Sequence, residues 1–324
     1  MLTKKATRLS CMAMLVMGLA ACGGGEQPPA QGGGAATPPA SGSAPAEPTA
    51  AGGSTLEKIK SSKTIVLAHR DSSIPFSYIA DTPNQPVGFA HDLQLKVVDA
   101  VKTKLNMPDL QVRYQLVTSQ NRIPSIANGT ADLECGSTTN NQERQQQVSF
   151  SVGFFQVGSR LLTAKNSGIQ DFADLKGKKL VTTAGTTSER YIRQHQQELG
   201  IAEIIPAKDH AESFLMLQNG RAAAFMMDDI LLAGEKSKAK DPNKWVIVGT
   251  APIQEVYGCM LRKGDVGFKK VVDDAIKATY ASGKINDMYK TWFEQPIPPK
   301  KINLNFPMSD AVKALISNPH DHDQ

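Results

Sequence analysis

Cysteine, aromatic side chains and long apolar runs are all scarce in this chain. Its 324 residues hold four cysteines and 6% aromatics. No C-x-x-C, Walker lysine motif, G-x-G-x-x-G or G-x-S-x-G occurs in a usable context, so cofactor chemistry has no foothold and neither a cofactor nor a metal is expected. The charge excess is also small. Against 31 Asp and Glu stand 36 Lys and Arg, a net +5, which argues only weakly for nucleic acid or an anionic surface. With 40% hydrophobic and 21% charged residues, collagen-like, coiled-coil and wholly disordered chains are excluded. The length suffices for two domains and a sizeable core.

The charge and the cysteines are concentrated at the amino terminus. Lys4, Lys5 and Arg8 precede an apolar run from Cys11 to Ala21. Such a run is too short for a bilayer, whose core needs about 20 helical residues, so 1–21 reads as a secretory signal rather than a membrane-spanning helix. The run ends in Leu19, Ala20, Ala21 and Cys22. Small residues before a cysteine resemble a bacterial lipobox, in which Cys22 becomes the lipidated first residue; ordinary cleavage near Ala21 is the alternative. From Gly23 to Ser54 the only charges are Glu26 and Glu47, and Gly, Pro and Ala fill most positions. That composition cannot offset its ordering entropy, so 22–54 reads as a disordered tether behind a lipid anchor. Removing Lys4, Lys5 and Arg8 with the signal lowers the net charge from +5 to +2.

Folded structure is expected from Thr55. Ile65 to Ala68 reads as a strand, and His91 to Asn106, with Leu93, Val97, Val101 and Leu105 four apart, as an amphipathic helix. Leu110, Val112, Tyr114 and Leu116 alternate with polar residues as in a half-buried strand. A helix follows, capped within Ser119 to Asn121, with Pro124 tolerable near its first turn; Ala131 to Cys135 is the next strand. The second half repeats the plan, with strands at 179–183, 204–207 and 222–227 and helices at 187–199 and around 214–217. IANGTADLEC and LQNGRAAAFM share Asn-Gly and an Ala two residues later. Two similar α/β lobes with mostly parallel sheets are expected. Cys135 and Cys259 remain in the body, where an exported protein either bridges such a pair or keeps two buried thiols.

Polar residues gather where strands end, which is where open α/β sheets bind ligands. They are Arg70 after the first strand, Ser119 and Arg122 after the next, and Ser137, Thr139 and Arg144 after Cys135. In the second half they are Thr187 after Gly185, His210, and Asp228. Taken singly, each has a bland reading as a solvated charge or a helix cap. Together they suit a small ligand with more than one anionic group and one cationic group. At the carboxyl end, His320 and His322 alternate with Asp321 and Asp323, which reads as a frayed solvated tail rather than a metal site.

The strings AHRDSSIPFSY, TSQNRIP, ECGSTTNNQER, DFADLKGK, AGTTSE, AKDH, GRAAAFMMDD, EVYGCMLRK and WFEQPIPPK resemble the periplasmic amino-acid-binding proteins that feed ABC transporters, in particular members that bind glutamate and aspartate. The resemblance runs from about Thr55 to the end. It implies a two-lobed type II fold, with one lobe at 55–152 and 257–324, the other at 153–256, and two crossing strands near 151–156 and 254–258. It also implies roles. Arg144, Ser137, Thr139 and Thr187 would hold the α-carboxylate through hydroxyl or backbone donors, and Asp228 the ammonium. Arg70, Ser119, Arg122 and His210 would receive the side-chain carboxylate. Three Arg and one Asp make the enclosed set +2 against a ligand of −1. Ala184 departs from the pattern by lacking a hydroxyl. The implied protein is a monomeric, non-enzymatic periplasmic receptor that meets an ABC permease in the inner membrane and no nucleic acid; the lipobox and long tether depart from the many relatives that are freely soluble and add the lipid anchor. A dehydratase-like enzyme on the same fold, with His210 as its general acid or base, and a ligand-sensing receptor are the alternatives.

Overall fold

A computed structural model describes residues 53–321. The expected signal, Cys22 and His322 lie outside the described residues. Within them the chain builds two α/β lobes, each around one sheet. In spatial order the first sheet runs Gln111–Leu116, Thr64–His69, Leu133–Glu134, Met260–Arg262, Val148–Phe150. The first three are parallel, and Met260–Arg262 is antiparallel to both of its neighbours. The second sheet runs Glu203–Ala207, Lys179–Thr183, Ala224–Asp228, Phe155–Ala164, Trp245–Val248. Its first three strands are parallel, and Phe155–Ala164 is antiparallel to the strands on either side.

Apolar spacing accounts for the main helix. Phe89–Leu105 buries Leu93, Val97 and Val101 completely, and Asn106 ends it in the left-handed region at φ 51°. Gln111–Leu116 departs from expectation. Among the described residues it lies at the sheet edge, paired only with Thr64–His69, and leaves Tyr114 39% and Leu116 53% exposed, because alternation places residues on one face without supplying a layer to cover it. The helix Arg122–Ala127 carries Pro124 in its first turn, where no intrahelical N–H bond is lost. Asn121 precedes it, but its side chain turns back to accept from Thr118 N at 2.7 Å instead of capping. Thr187–Gln194 stops short of Leu199, because the chain turns to Gly200, whose carbonyl accepts from Gly177 N at 2.7 Å. Both Asn-Gly pairs end helices, with Gly129 at φ +75° and Gly220 at φ +69°.

Two antiparallel strands join the lobes. Phe155–Ala164 leaves the first lobe and Gln254–Tyr257 returns to it, pairing Phe155 with Tyr257 and Gly158 with Gln254. A Cβ at Gly158 would meet Ala251 Cβ at 2.7 Å, so glycine is required there. Phe155 and Tyr257 also belong to a buried aromatic cluster with Phe76, Phe89, Tyr289 and Phe293. The return strand is tied down covalently, since Cys135 and Cys259 form a disulfide with Cα atoms 4.3 Å apart. The tail is docked rather than frayed as far as Asp321: the His320 carbonyl accepts from Gly153 N at 3.2 Å, and Asp321 pairs with Lys269 at 2.9 Å. Among the described residues no helix is long and apolar enough to cross a membrane.

Candidate functional site

All nine polar residues singled out by sequence are buried where the two lobes face each other. Arg70 follows the strand Thr64–His69 and is fully buried, yet none of its three guanidinium nitrogens has a hydrogen-bond partner among the described residues. Arg122 opens its helix and donates through Nη1 to Ser137 O at 2.8 Å and Thr138 Oγ1 at 2.5 Å, while its Nε has no partner among the described residues. Ser119 Oγ is likewise buried and unpartnered, while Ser137 Oγ donates to Ser73 Oγ at 3.1 Å. From the second lobe, His210 presents Nε2 without a partner among the described residues while its Nδ1 lies 2.9 Å from Thr183 Oγ1. Ser119, Arg122, Ser137, Thr139, Thr187, His210 and Asp228 line one small enclosed cavity.

At the other end of the site Arg144 donates to the Thr139 carbonyl at 2.9 Å and approaches the Gly185 carbonyl at 3.5 Å. It spans from the first lobe to the turn that opens the helix Thr187–Gln194. Thr186 caps that helix by accepting from Glu189 N at 3.0 Å, and the N–H groups of its first turn have no intrahelical acceptor, which favours an anion there. Gly185, at φ +79°, lets this turn approach the other lobe so closely that a Cβ would sit 2.8 Å from Gln120 N. Asp228 ends the strand Ala224–Asp228 and accepts from Ser159 Oγ at 3.1 Å and from the Tyr257 hydroxyl.

Two buried carboxylates in this region were not singled out from sequence. Glu134, fully buried, accepts from Thr138 Oγ1 at 2.7 Å, so the hydroxyl held by Arg122 relays to it. Glu255, on the return strand, accepts from Thr139 Oγ1 at 2.9 Å and from Thr187 Oγ1 at 2.7 Å. Each hydroxyl has one proton, so with both spent on Glu255 the backbone N–H groups of Thr139 and Thr187 are the donors left for a ligand. The sequence did hold a signal. Both glutamates lie in predicted strands or crossings, where an unpaired charge is costly.

Burial dominates the electrostatics. It holds the Arg70 and Arg144 guanidinium groups down at about 10, with Arg122 as the next cause for each, and it lowers Arg122 itself. Burial and then Arg70 and Arg122 hold His210 well below the usual imidazole range, so the ring is neutral. Asp228 is pushed up to about 7 by burial first and by Glu255 next. The arrangement offers cationic donors to two separate anionic groups and one carboxylate to a cation.

Comparison with known proteins fits this geometry. Residues 65–295 match the model of the bacterial extracellular solute-binding proteins, family 3. A protein of Pseudomonas aeruginosa named L-glutamate/L-aspartate-binding protein is 63% identical over 82% of this chain and 89% of its own length. The glutamate/aspartate import solute-binding protein of Escherichia coli is 54% identical over 83% of this chain and 89% of its own length. Among solved structures, the cysteine-binding protein of Campylobacter jejuni superposes with a TM-score of 0.66 over 80% of this chain and 97% of its own, at 22% identity, a likeness of fold. The high-identity relatives are transport binding proteins, not enzymes. With its two sheets, its paired crossing strands and a family match over most of its length, the chain belongs to the bacterial extracellular solute-binding proteins, family 3.

Proposed function

We propose that this protein is the extracytoplasmic receptor of an ABC amino-acid importer, binding L-glutamate or L-aspartate between its lobes and presenting the closed form to an inner-membrane permease. The observation that carries the ligand class is Arg70: a fully buried guanidinium with three nitrogens unpartnered among the described residues, beside Arg122 with another, is a seat for an anionic side chain. The names of the closely similar relatives support the same class. Arg144 with the backbone at Thr139 and Thr187 takes the α-carboxylate, and Asp228 the ammonium. The lobes are placed at 55–152 with 257–324, and at 153–256. The receptor works as a monomer in the periplasm, tethered by lipid at Cys22.

Calorimetric titration of the tether-free protein with Glu, Asp, Gln, Asn and glutarate tests the reading. Leaving a buried guanidinium opposite a neutral amide costs about 2–5 kcal/mol, so Gln should bind at least tenfold more weakly than Glu. Equal binding of Gln would remove the acidic ligand class. Mass spectrometry of the membrane fraction should find Cys22 lipidated, and an unmodified soluble chain would contradict the anchor.

A further inference from the structure

Thr183 and Ser213 lie outside the residues read from sequence, and their hydroxyls form a directed chain that ends on His210. Ser213, in the helix His210–Gln218, donates to the Asp209 carbonyl at 2.8 Å. With its only proton spent there, Ser213 Oγ must accept from Thr183 Oγ1, 2.8 Å away. Thr183 has then spent its own proton, so its 2.9 Å contact with His210 Nδ1 requires the ring proton to sit on Nδ1. Nε2, buried and without a partner among the described residues, is a bare lone pair on a ring that lines the cavity with Ser119, Arg122 and Asp228.

From this geometry we infer that Thr183 and Ser213 are positioning residues that hold His210 as its Nδ1–H tautomer, and that the site takes up one proton at Nε2 when it closes on a side-chain carboxylate. The inference rests on the proposed ligand class. A carboxylate brings only lone pairs, so it is repelled by the bare Nε2 and held by the protonated one in a charge-assisted hydrogen bond. The proton comes from solvent or buffer acid. The charged groups acting on the ring are Arg70 and Arg122 from the first lobe and Lys238 after the helix Asp229–Ser237, and all three oppose protonation until an anion arrives. The neighbouring Asp209 carboxylate is engaged by Glu212 N at 2.9 Å. A neutral amide supplies its own N–H to the bare Nε2 and needs no proton. Preference for Glu over Gln should therefore rise as pH falls, by at most about tenfold per pH unit.

The test begins without any ligand. In protein labelled with ¹⁵N-histidine, the His210 ring, assigned by its loss in His210→Gln, should show a protonated Nδ1 and a bare Nε2 at pH 7, and both nitrogens protonated with saturating glutamate. Ser213→Ala, which frees the Thr183 hydroxyl to donate to Nδ1, should abolish the single tautomer. Calorimetry in buffers of different ionisation heat should find about one more proton taken up per glutamate by the natural chain than by His210→Gln. A protonated Nε2 in the ligand-free ring, or equal uptake by the two proteins, overturns the inference. Failure of glutamate to bind would strike the proposed function while the ligand-free tautomer is still read.

Discussion

Replacing Arg70 with methionine should close the ligand-free protein and remove its ligand affinity together. Arg70 is fully buried, its guanidinium nitrogens have no partner among the described residues, and burial first and Arg122 second hold it down at about 10, below the usual guanidinium range. That lowering corresponds to roughly 3 kcal/mol against the charged form. For a depressed cation the penalty is in full force below the folded value and fades only as pH rises towards the unfolded one, so it operates throughout the neutral range. Unfolding relieves it, but parting of the lobes does so more cheaply by readmitting water to the guanidinium. Arg122 stays beside Arg70 in the first lobe, so parting the lobes relieves at most that roughly 3 kcal/mol, at most on the order of a hundredfold in the open-to-closed ratio. Methionine keeps an unbranched, adaptable stem and discards the charge. Small-angle scattering should show the natural chain shrinking on addition of glutamate, and Arg70→Met already at the shrunken radius without it. Glutamate should bind the variant at least about a hundredfold more weakly, for want of the charge-assisted pair. A ligand-free variant as extended as the natural chain, or one that keeps its glutamate affinity, would refute the reasoning.

Two further outcomes follow from the same geometry. Asp228, raised to about 7 by burial and then Glu255, must be ionised to attract an ammonium. Preference for glutamate over glutarate should therefore grow as pH rises from 5 to about 7 and then level off; both ligands bring the side-chain carboxylate, so His210 cancels from the ratio, and a ratio flat with pH would reject Asp228 as the ammonium partner. Gly185→Ala places a Cβ 2.8 Å from Gln120 N in a left-handed residue, φ +79°. It should weaken glutamate binding by more than tenfold, while the left-handed alanine costs the fold only about 1–2 kcal/mol; unchanged affinity would show that the lobes need not approach so closely there.

Sequence made some of this legible because its signals are local. Four-residue spacing of Leu93, Val97 and Val101 specifies one helical face, and that face is buried. Alternation in Gln111–Leu116 also specified a face, but whether another layer covers it depends on distant chain, and Tyr114 and Leu116 are left exposed. The arginines and Asp228 stood out because they follow strands. Glu255 meets Thr139 and Thr187, 116 and 68 residues away, so its part is set by the hinge register and by no nearby pattern. The Cys135–Cys259 bridge was undecidable for the same reason, with 124 residues between its ends.

Those hidden carboxylates change the charge argument. Arg70, Arg122, Arg144 and Asp228 alone gave +2, but Glu134 and Glu255 are buried among them, so the set is neutral when all ionise and His210 is uncharged. Glutamate would then leave a net −1 in a site closed to water, where an uncompensated charge costs several kcal/mol. Protonation of His210 brings the sum over the whole set back to zero. The charges also divide by location. Glu134 offsets one of the two guanidinium groups at the side-chain end and leaves +1 for one carboxylate, whereas Asp228 and Glu255 outweigh Arg144 at the other end and favour the ammonium. Near pH 7 Asp228, which titrates at about 7, would release about half a proton as the ammonium arrives while His210 gains one, so the natural chain takes up about half a proton net. Net uptake of about half a proton in that chain, with release of about half a proton in His210→Gln, is the combination this balance requires.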